Sequence, residues 1–291
     1  MIALTDRMHS LGAIVPADMM EPGPLVEHVQ WLESLGYRSV WIPDMFGREI
    51  YVTAAHLLAN TSTITIVSGI AHIYGRDAIA SSQAARTLAE LSGGRFVQGL
   101  GVSHPIAAQM RGLEWENPVA KMRGHLEAMR DTPLQIRAAQ PPVYIAAHGP
   151  KMLALAAEAA DGANTYMQPP SHTARARDVL GPDKTLSVVL PCCLSTDPDA
   201  ARAAGRRALS IYLPLAAYQR QWAAHGFTEP DWSDGGSDRL IDTYVAWGDV
   251  EEVGARIDEH LDAGADQVQI SANAPRGGST RELFESLAGR G

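Results

Sequence analysis

Short apolar runs alternate along this chain with longer stretches whose apolar residues recur at helical spacing. The runs are Leu11–Val15, Ser39–Pro43, Thr63–Ile70, Phe96–Leu100, Val143–Ala147, Gly162–Tyr166, Thr185–Leu190 and Gln267–Ile270. Between the early ones lies a helix pattern carried by Leu25, Val29, Leu32 and Leu35 and stopped by Gly36. Further helices are predicted over Ala54 to Ala59, Ala78 to Leu91, Ala120 to Met129, Met152 to Ala160 and Thr280 to Ala288. Strands that are nearly all apolar, alternating with helices, predict a parallel sheet covered on both sides. About eight such units in under 300 residues predict an α/β fold of the (β/α)8 barrel type, with residues 1–291 as one domain. An open doubly wound sheet fits less well, because Pro16-Ala-Asp18 follows the first strand where a dinucleotide-binding glycine motif would stand.

The segment from Asp197 to Asp249 is longer than one connection requires. It predicts a helix from Asp199 to about His225, a polar loop over Glu229–Asp238 and the start of another helix. It is read as an insertion at the C-terminal face, with Tyr212, Tyr218, Trp222 and Phe227 divided between walling the pocket and packing helices.

Composition narrows the function. A net charge of −9 without a basic stripe excludes nucleic acid as a partner. Adjacent Cys192 and Cys193 lie in an apolar run and point to opposite faces, which predicts reduced packing residues. No apolar stretch approaches the roughly 20 residues of a spanning helix, and the N-terminus carries no signal-peptide core, so a cytoplasmic protein without a membrane partner is expected.

In a barrel of this type chemistry gathers at the C-terminal ends of the strands. Those ends hold few carboxylates but three histidines, His72, His104 and His148. A strand-end histidine supplies a proton-transfer group with a pKa near neutrality. Ala146-Ala-His-Gly-Pro-Lys-Met152 runs from a strand through a glycine turn into a helix with Pro150 in its first turn. Such a turn makes either a phosphate cradle, with Lys151 adding positive charge, or an ordinary connection. Glu259-His260 lacks a second histidine at metal-binding spacing and is read as a solvated helix face.

The motifs Ser39-Val-Trp-Ile-Pro-Asp44, Ser68-Gly-Ile-Ala-His-Ile-Tyr-Gly-Arg76, Leu88-Ala-Glu-Leu-Ser-Gly-Gly-Arg95 with Gly99-Leu-Gly101, Ala156-Ala-Glu-Ala-Ala-Asp-Gly162 and Trp247-Gly-Asp-Val-Glu-Glu-Val253 with Ala263-Gly-Ala265 follow one another along the chain. In that order and spacing they resemble the luciferase-like monooxygenase superfamily. Gly101-Val-Ser-His-Pro105 and the Ala-His-Gly-Pro-Lys turn look most like the actinobacterial branch that uses the deazaflavin coenzyme F420. The resemblance implies a hydride-transferring oxidoreductase acting on a small organic molecule, with FMN as the alternative cofactor in a monooxygenase and a non-catalytic barrel as a further reading. It leaves a homodimer open.

By the same resemblance the ring would lie against Asp44, Ser68, Gly69 and Ile70, with a cis peptide at Gly69–Ile70. Gly101, Val102, Ser103, Thr165, Tyr166 and Met167 would line the ring and its side chain, and His148, Gly149, Pro150 and Lys151 would take the phosphate. Many deazaflavin dehydrogenases of this kind carry Asp-His at the second strand end and a glutamate after the fourth-strand glycines. Here Asp44-Met45 and Val102 stand in those places, which leaves His72 or His104 as the expected catalytic group.

Overall fold

The computed structural model describes residues 10–135 and 137–289, so the first nine positions of the N-terminus read above lie outside the described residues. Eight parallel strands close into a barrel. They are β1 (Leu11–Ile14), β2 (Ser39–Ile42), β3 (Thr65–Ser68), β5 (Phe96–Gly101), β6 (Val143–Ala146), β7 (Gly162–Tyr166), β8 (Thr185–Leu194) and β10 (Gln267–Asn273), and β10 pairs with both β1 and β8. Two short strands accompany them: β4 (Ala71–His72) beside β5, and β9 (Ala246–Gly248) beside the end of β8. The run read as one strand over Thr63–Ile70 is divided, because the chain bulges after Ser68 before β4 resumes pairing.

Each strand's outward side chains enter the main core against the helices, as with Val40, Ile66, Ile145, Val188 and Ile270. Inward residues form a smaller cluster of Ile14, Trp41, Val67, Val97 and Tyr144, with the Trp41 and Tyr144 rings stacked 6.3 Å apart. Below it the interior is polar. Ser39 Oγ donates to Gln269 Oε1 at 3.2 Å, and Gln269 Nε2 donates to Ser187 Oγ at 3.3 Å. The barrel is therefore filled from its N-terminal end up to the Trp41–Tyr144 layer, and the strand-end side chains stand above that floor.

The early helices are α1 (Pro22–Ser34), α2 (Ile50–Ala59), α3 (Ala78–Leu91), α4 (Pro105–Gln109) and α5 (Pro118–Asp131). Several start on side-chain caps: Glu49 accepts from Val52 N, Asp77 from Ala80 N, and Asn117 from Ala120 N. Next come α6 (Pro150–Ala159) and α7 (Pro170–Leu180).

The insertion holds α8 (Pro198–Leu209), α9 (Ala216–Ala224), α10 (Glu229–Trp232) and α11 (Asp238–Tyr244). The single helix predicted from Asp199 to about His225 is thus two helices. Pro214 cannot donate a backbone hydrogen bond and disfavours a helical Leu213 before it, which accounts for the break. The Glu229–Asp238 loop contains α10, started by a capping box between Thr228 and Asp231. Met167, Leu209, Leu213, Tyr218, Trp222, Phe227, Leu240, Ile241, Tyr244 and Val245 form the insertion's own core, so it sits on the end of β7. After β9 come α12 (Val250–Asp262) and α13 (Arg281–Ala288).

His260 on α12 corrects the reading of a solvated face. It is fully buried, and its Nδ1 lies 2.9 Å from Thr173 Oγ1 on α7. Its neighbour Glu259 stays at the surface in a pair with Arg256. Adjacent positions on a helix point about 100° apart, so one polar pair divides between core and solvent. Cys192 and Cys193 are free and buried. Among the described residues no helix is long and apolar enough to cross a membrane.

Candidate active site

The β3–β4 bulge forms one wall of the mouth. Its Gly69–Ile70 peptide is cis. Ser68 Oγ donates to Gly99 O and accepts from Gly99 N, both at 2.9 Å, joining the bulge to β5 where the regular ladder lapses. The Gly99-Leu-Gly101 motif acquires a packing reason here. A Cβ on Gly99 would lie 2.0 Å from Ser68 O, and one on Gly101 would lie 2.2 Å from Ile70 Cδ1. The space beside Gly101 is thus filled by Ile70, and a Cβ on Gly69 would meet Trp41 Cβ and Cε3 at 3.0 Å.

Asp44, buried at the end of β2, secures the far side of the bulge. Its Oδ2 accepts the backbone N–H of His72 at 3.0 Å and pairs with Arg76 Nη1 at 2.7 Å. Asp44 Oδ2 is thus engaged by protein groups on β4 and at Arg76. His72 itself is half-buried, and its Nδ1 has no hydrogen-bond partner in the structure. Burial lowers its pKa to about 4; Asp44 raises it, while Arg111, Arg76 and His104 lower it.

At the end of β5 the chain turns sharply. Ser103 adopts φ +63°, a left-handed conformation uncommon outside glycine, and Met167 at the end of β7 adopts φ +49°. His104 follows in extended conformation as the N-cap of α4, and its ring lies 5.8 Å from that of Tyr218. Burial lowers its pKa as well. Val102 and Ser103 are partly exposed between Gly101 and His104.

The turn from β6 into α6 presents an unblocked helix N-terminus. Gly149 is the N-cap, no side chain caps the helix, and a Cβ on Gly149 would meet nothing within 4 Å. Pro150 follows, and Lys151 is exposed. His172 Nε2 lies 2.8 Å from His148 O and must donate, since a carbonyl only accepts. His148 Nδ1 accepts from Tyr166 N at 3.5 Å, which leaves its proton on Nε2. Burial lowers the His148 pKa to about 3, with His172 and His104 adding to the effect. Thr165 occupies the face of β7 opposite Tyr166, and its hydroxyl is buried without a partner.

The insertion covers this mouth from the β7 side. Tyr218 lies 5.8 Å from His104 and 6.2 Å from His148, and Tyr212 lies 5.2 Å from Tyr166. Trp222 and Phe227 instead pack inside the insertion. Tyr212 and Tyr218 belong both to the mouth and to the insertion core. A separate cavity of about 480 Å³, lined by Leu213, Gln219, Glu229 and Trp232 among others, opens on the insertion and includes none of the strand-end histidines.

The three histidines converge. The rings of His104 and His148 lie 5.8 and 6.2 Å from the one Tyr218 ring, and His104 acts electrostatically on both His72 and His148. All three have lowered pKa values, whereas proximity to neutrality was expected. A neutral imidazole can donate one hydrogen bond to a developing oxyanion and accept a proton at its other nitrogen. Three contributors escaped the sequence. Arg76 lay within a quoted motif but its pairing with Asp44 is long-range, Arg111 belongs to no motif, and His172 acts only through a backbone carbonyl.

Comparison with known proteins agrees with this architecture. A family profile described as Luciferase-like monooxygenase matches residues 3–267. A 5,10-methylenetetrahydromethanopterin reductase of Methanolobus tindarius is 27% identical over 307 residues, covering 90% of this chain and 94% of the relative. A Mycobacterium tuberculosis protein provisionally named a coenzyme F420-dependent oxidoreductase is 29% identical over 210 residues, covering 70% of this chain and 56% of its own length. Among solved structures, the coenzyme F420 dependent tetrahydromethanopterin reductase from Methanopyrus kandleri superposes with a TM-score of 0.76 at 19% identity, covering 96% of this chain and 97% of that one.

Proposed function

The chain belongs to the luciferase-like monooxygenase family, and from that premise we propose that it is a coenzyme F420-dependent oxidoreductase transferring hydride between the deazaflavin and a small organic substrate. The observation that carries this reading is the placing of His104 and His148, with rings 5.8 and 6.2 Å from Tyr218, beside an unblocked α6 N-terminus at one barrel mouth. The relative named for the same coenzyme supports the choice of cofactor.

The residues fit such a group in two respects. Gly149 leaves open space above the first amides of α6, and a side chain there would intrude on it. Those amides and Lys151 suit a phosphate. His72 Nδ1 is buried and has no hydrogen-bond partner, a polar atom that the fold itself leaves unsatisfied.

When bound, the deazaflavin supplies or accepts the hydride at its C5 carbon. The chain's part is to position and to handle the proton. Asp44 and the bulge fix the backbone of His72 and so its ring. In the reductive direction the N–H of neutral His72 or His104 would donate a hydrogen bond to the substrate's carbonyl or imine heteroatom, and the proton that neutralises that atom would come from solvent. In the oxidative direction the bare ring nitrogen would accept the substrate's proton and pass it to solvent. Tyr218 and Tyr212 close the β7 side and exclude water.

The test is oxidation of reduced coenzyme by a panel of small carbonyl and imine compounds, run with and without oxygen. Turnover that proceeds anaerobically supports hydride transfer. Turnover with obligatory consumption of oxygen would assign the chain to flavin monooxygenase chemistry instead.

A further inference from the structure

His172, in the first turn of α7, is buried and donates through Nε2 to His148 O at 2.8 Å. Two further contacts fix its ring. The His225 ring, just past α9, stacks on it with centroids 6.2 Å apart and planes 28° apart. The next residue, Thr173, ties α7 to His260 on α12 at 2.9 Å. A donor whose own place is fixed by packing sets the direction of the group it meets.

That group is half of one peptide unit. His148 C=O and Gly149 N–H share a plane, and across a trans peptide they point in opposite directions. The cis peptide of the described residues is Gly69–Ile70, so this one is trans. By drawing the carbonyl toward α7, His172 turns the Gly149 N–H away from α7. Gly149 is exposed, a Cβ on it would meet nothing within 4 Å, and its N–H has no hydrogen-bond partner among the described residues. Lys151 N–H is likewise unpartnered among them, and Pro150 between the two has no N–H to offer. Without the His172 bond the peptide could turn over, which would set a carbonyl oxygen where these amides now offer a donor.

We propose that His172 is a positioning residue for coenzyme binding: its bond to His148 O holds the Gly149 N–H outward as a donor to the coenzyme's phosphate. This deepens the oxidoreductase reading above and rests on it for the identity of the anion. His172 touches neither coenzyme nor substrate and acts through one backbone peptide.

The test crosses two substitutions that each keep one property of the ring. His172→Phe keeps the stack on His225 and cannot donate; His172→Gln can donate from nearly the same place and has no ring. Calorimetric titration with oxidised coenzyme F420 should show a loss of roughly 10- to 100-fold for His172→Phe, the effect of losing a hydrogen bond to a charged group, and near wild-type affinity for His172→Gln. A phosphate-free deazaflavin riboside should bind all three proteins equally, which a general loss of structure would not allow. Wild-type coenzyme affinity in a folded His172→Phe protein would overturn the assignment. So would equal losses in both variants, or a matching loss of the riboside, because packing alone would then account for His172. Should His172→Phe not fold, His172→Leu takes its place. Should the wild-type protein take up no coenzyme, the oxidoreductase reading falls, and inorganic phosphate titrated into 15N-labelled protein decides the role of His172. Shifts of the Gly149 and Lys151 amide signals in wild type and His172→Gln, absent in His172→Phe, would uphold it; any other pattern would overturn it.

Discussion

Asp44 accepts the backbone N–H of His72 at 3.0 Å while pairing with Arg76, so the end of β2 holds the end of β4 in place. Its negative charge also favours the imidazolium of His72, against burial, the two arginines Arg111 and Arg76, and His104. Asp44→Asn retains an oxygen that can accept the amide but removes the charge. The His72 titration should then move below its present value of about 4, which NMR of the imidazole signals would follow. An unmoved or raised value would mean that Asp44 does not act on His72.

The bulge depends on contacts that no regular strand provides. Ser68→Ala removes the hydroxyl shared by Gly99 N and Gly99 O. Leaving those buried groups unsatisfied should cost about 1–3 kcal/mol in urea unfolding. Gly101→Ala forces Ile70 from its place and should cost about 1–3 kcal/mol by overpacking. Wild-type stability in both variants would contradict the packing account of this wall.

How much of this was legible beforehand follows from the range of each interaction. The strands and the early helices declare themselves by local periodicity, and Gly36 at φ +90° ends α1 as its type suggests. The division of α8 from α9 was also local in origin, yet the apolar pattern running through Pro214 masked it. His260 could not be placed from its own helix, because its partner Thr173 is 87 residues away. Gly99 and Gly101 were visible as a motif, but their reason lies in Ser68 and Ile70 on another strand. The three histidines were found from strand-end position; their lowered pKa values depend on burial, which the sequence does not display.

Acid should unfold this protein through its buried histidines. His125 and His260 are buried, and burial lowers both pKa values from 6.5 to about 4. Above pH 6.5 both states hold these groups neutral and the full stability is present. Below it the unfolded chain binds protons that the folded chain refuses, so stability falls as pH drops from 6.5 toward about 4. Each group contributes a slope of up to about 1.4 kcal/mol per pH unit in that window. Urea unfolding at several pH values checks this, and His260→Gln should reduce the slope by one group. A stability that is flat or rises toward pH 4 would contradict it.

Lys151→Glu places a carboxylate beside the α6 N-terminus. If that turn holds the coenzyme phosphate, coenzyme binding should weaken by about 1–3 kcal/mol, the range for a charged hydrogen bond together with the helix-end field. Lys151 is exposed, so the fold should survive, and circular dichroism would verify that. Unchanged coenzyme affinity in a folded variant would remove the turn from the site.

The most direct measurement is equilibrium titration of the purified protein with oxidised coenzyme F420 and with FMN, side by side under one buffer condition. Preferential binding of the deazaflavin is the result predicted here. Tighter binding of FMN, or binding of neither, would contradict it.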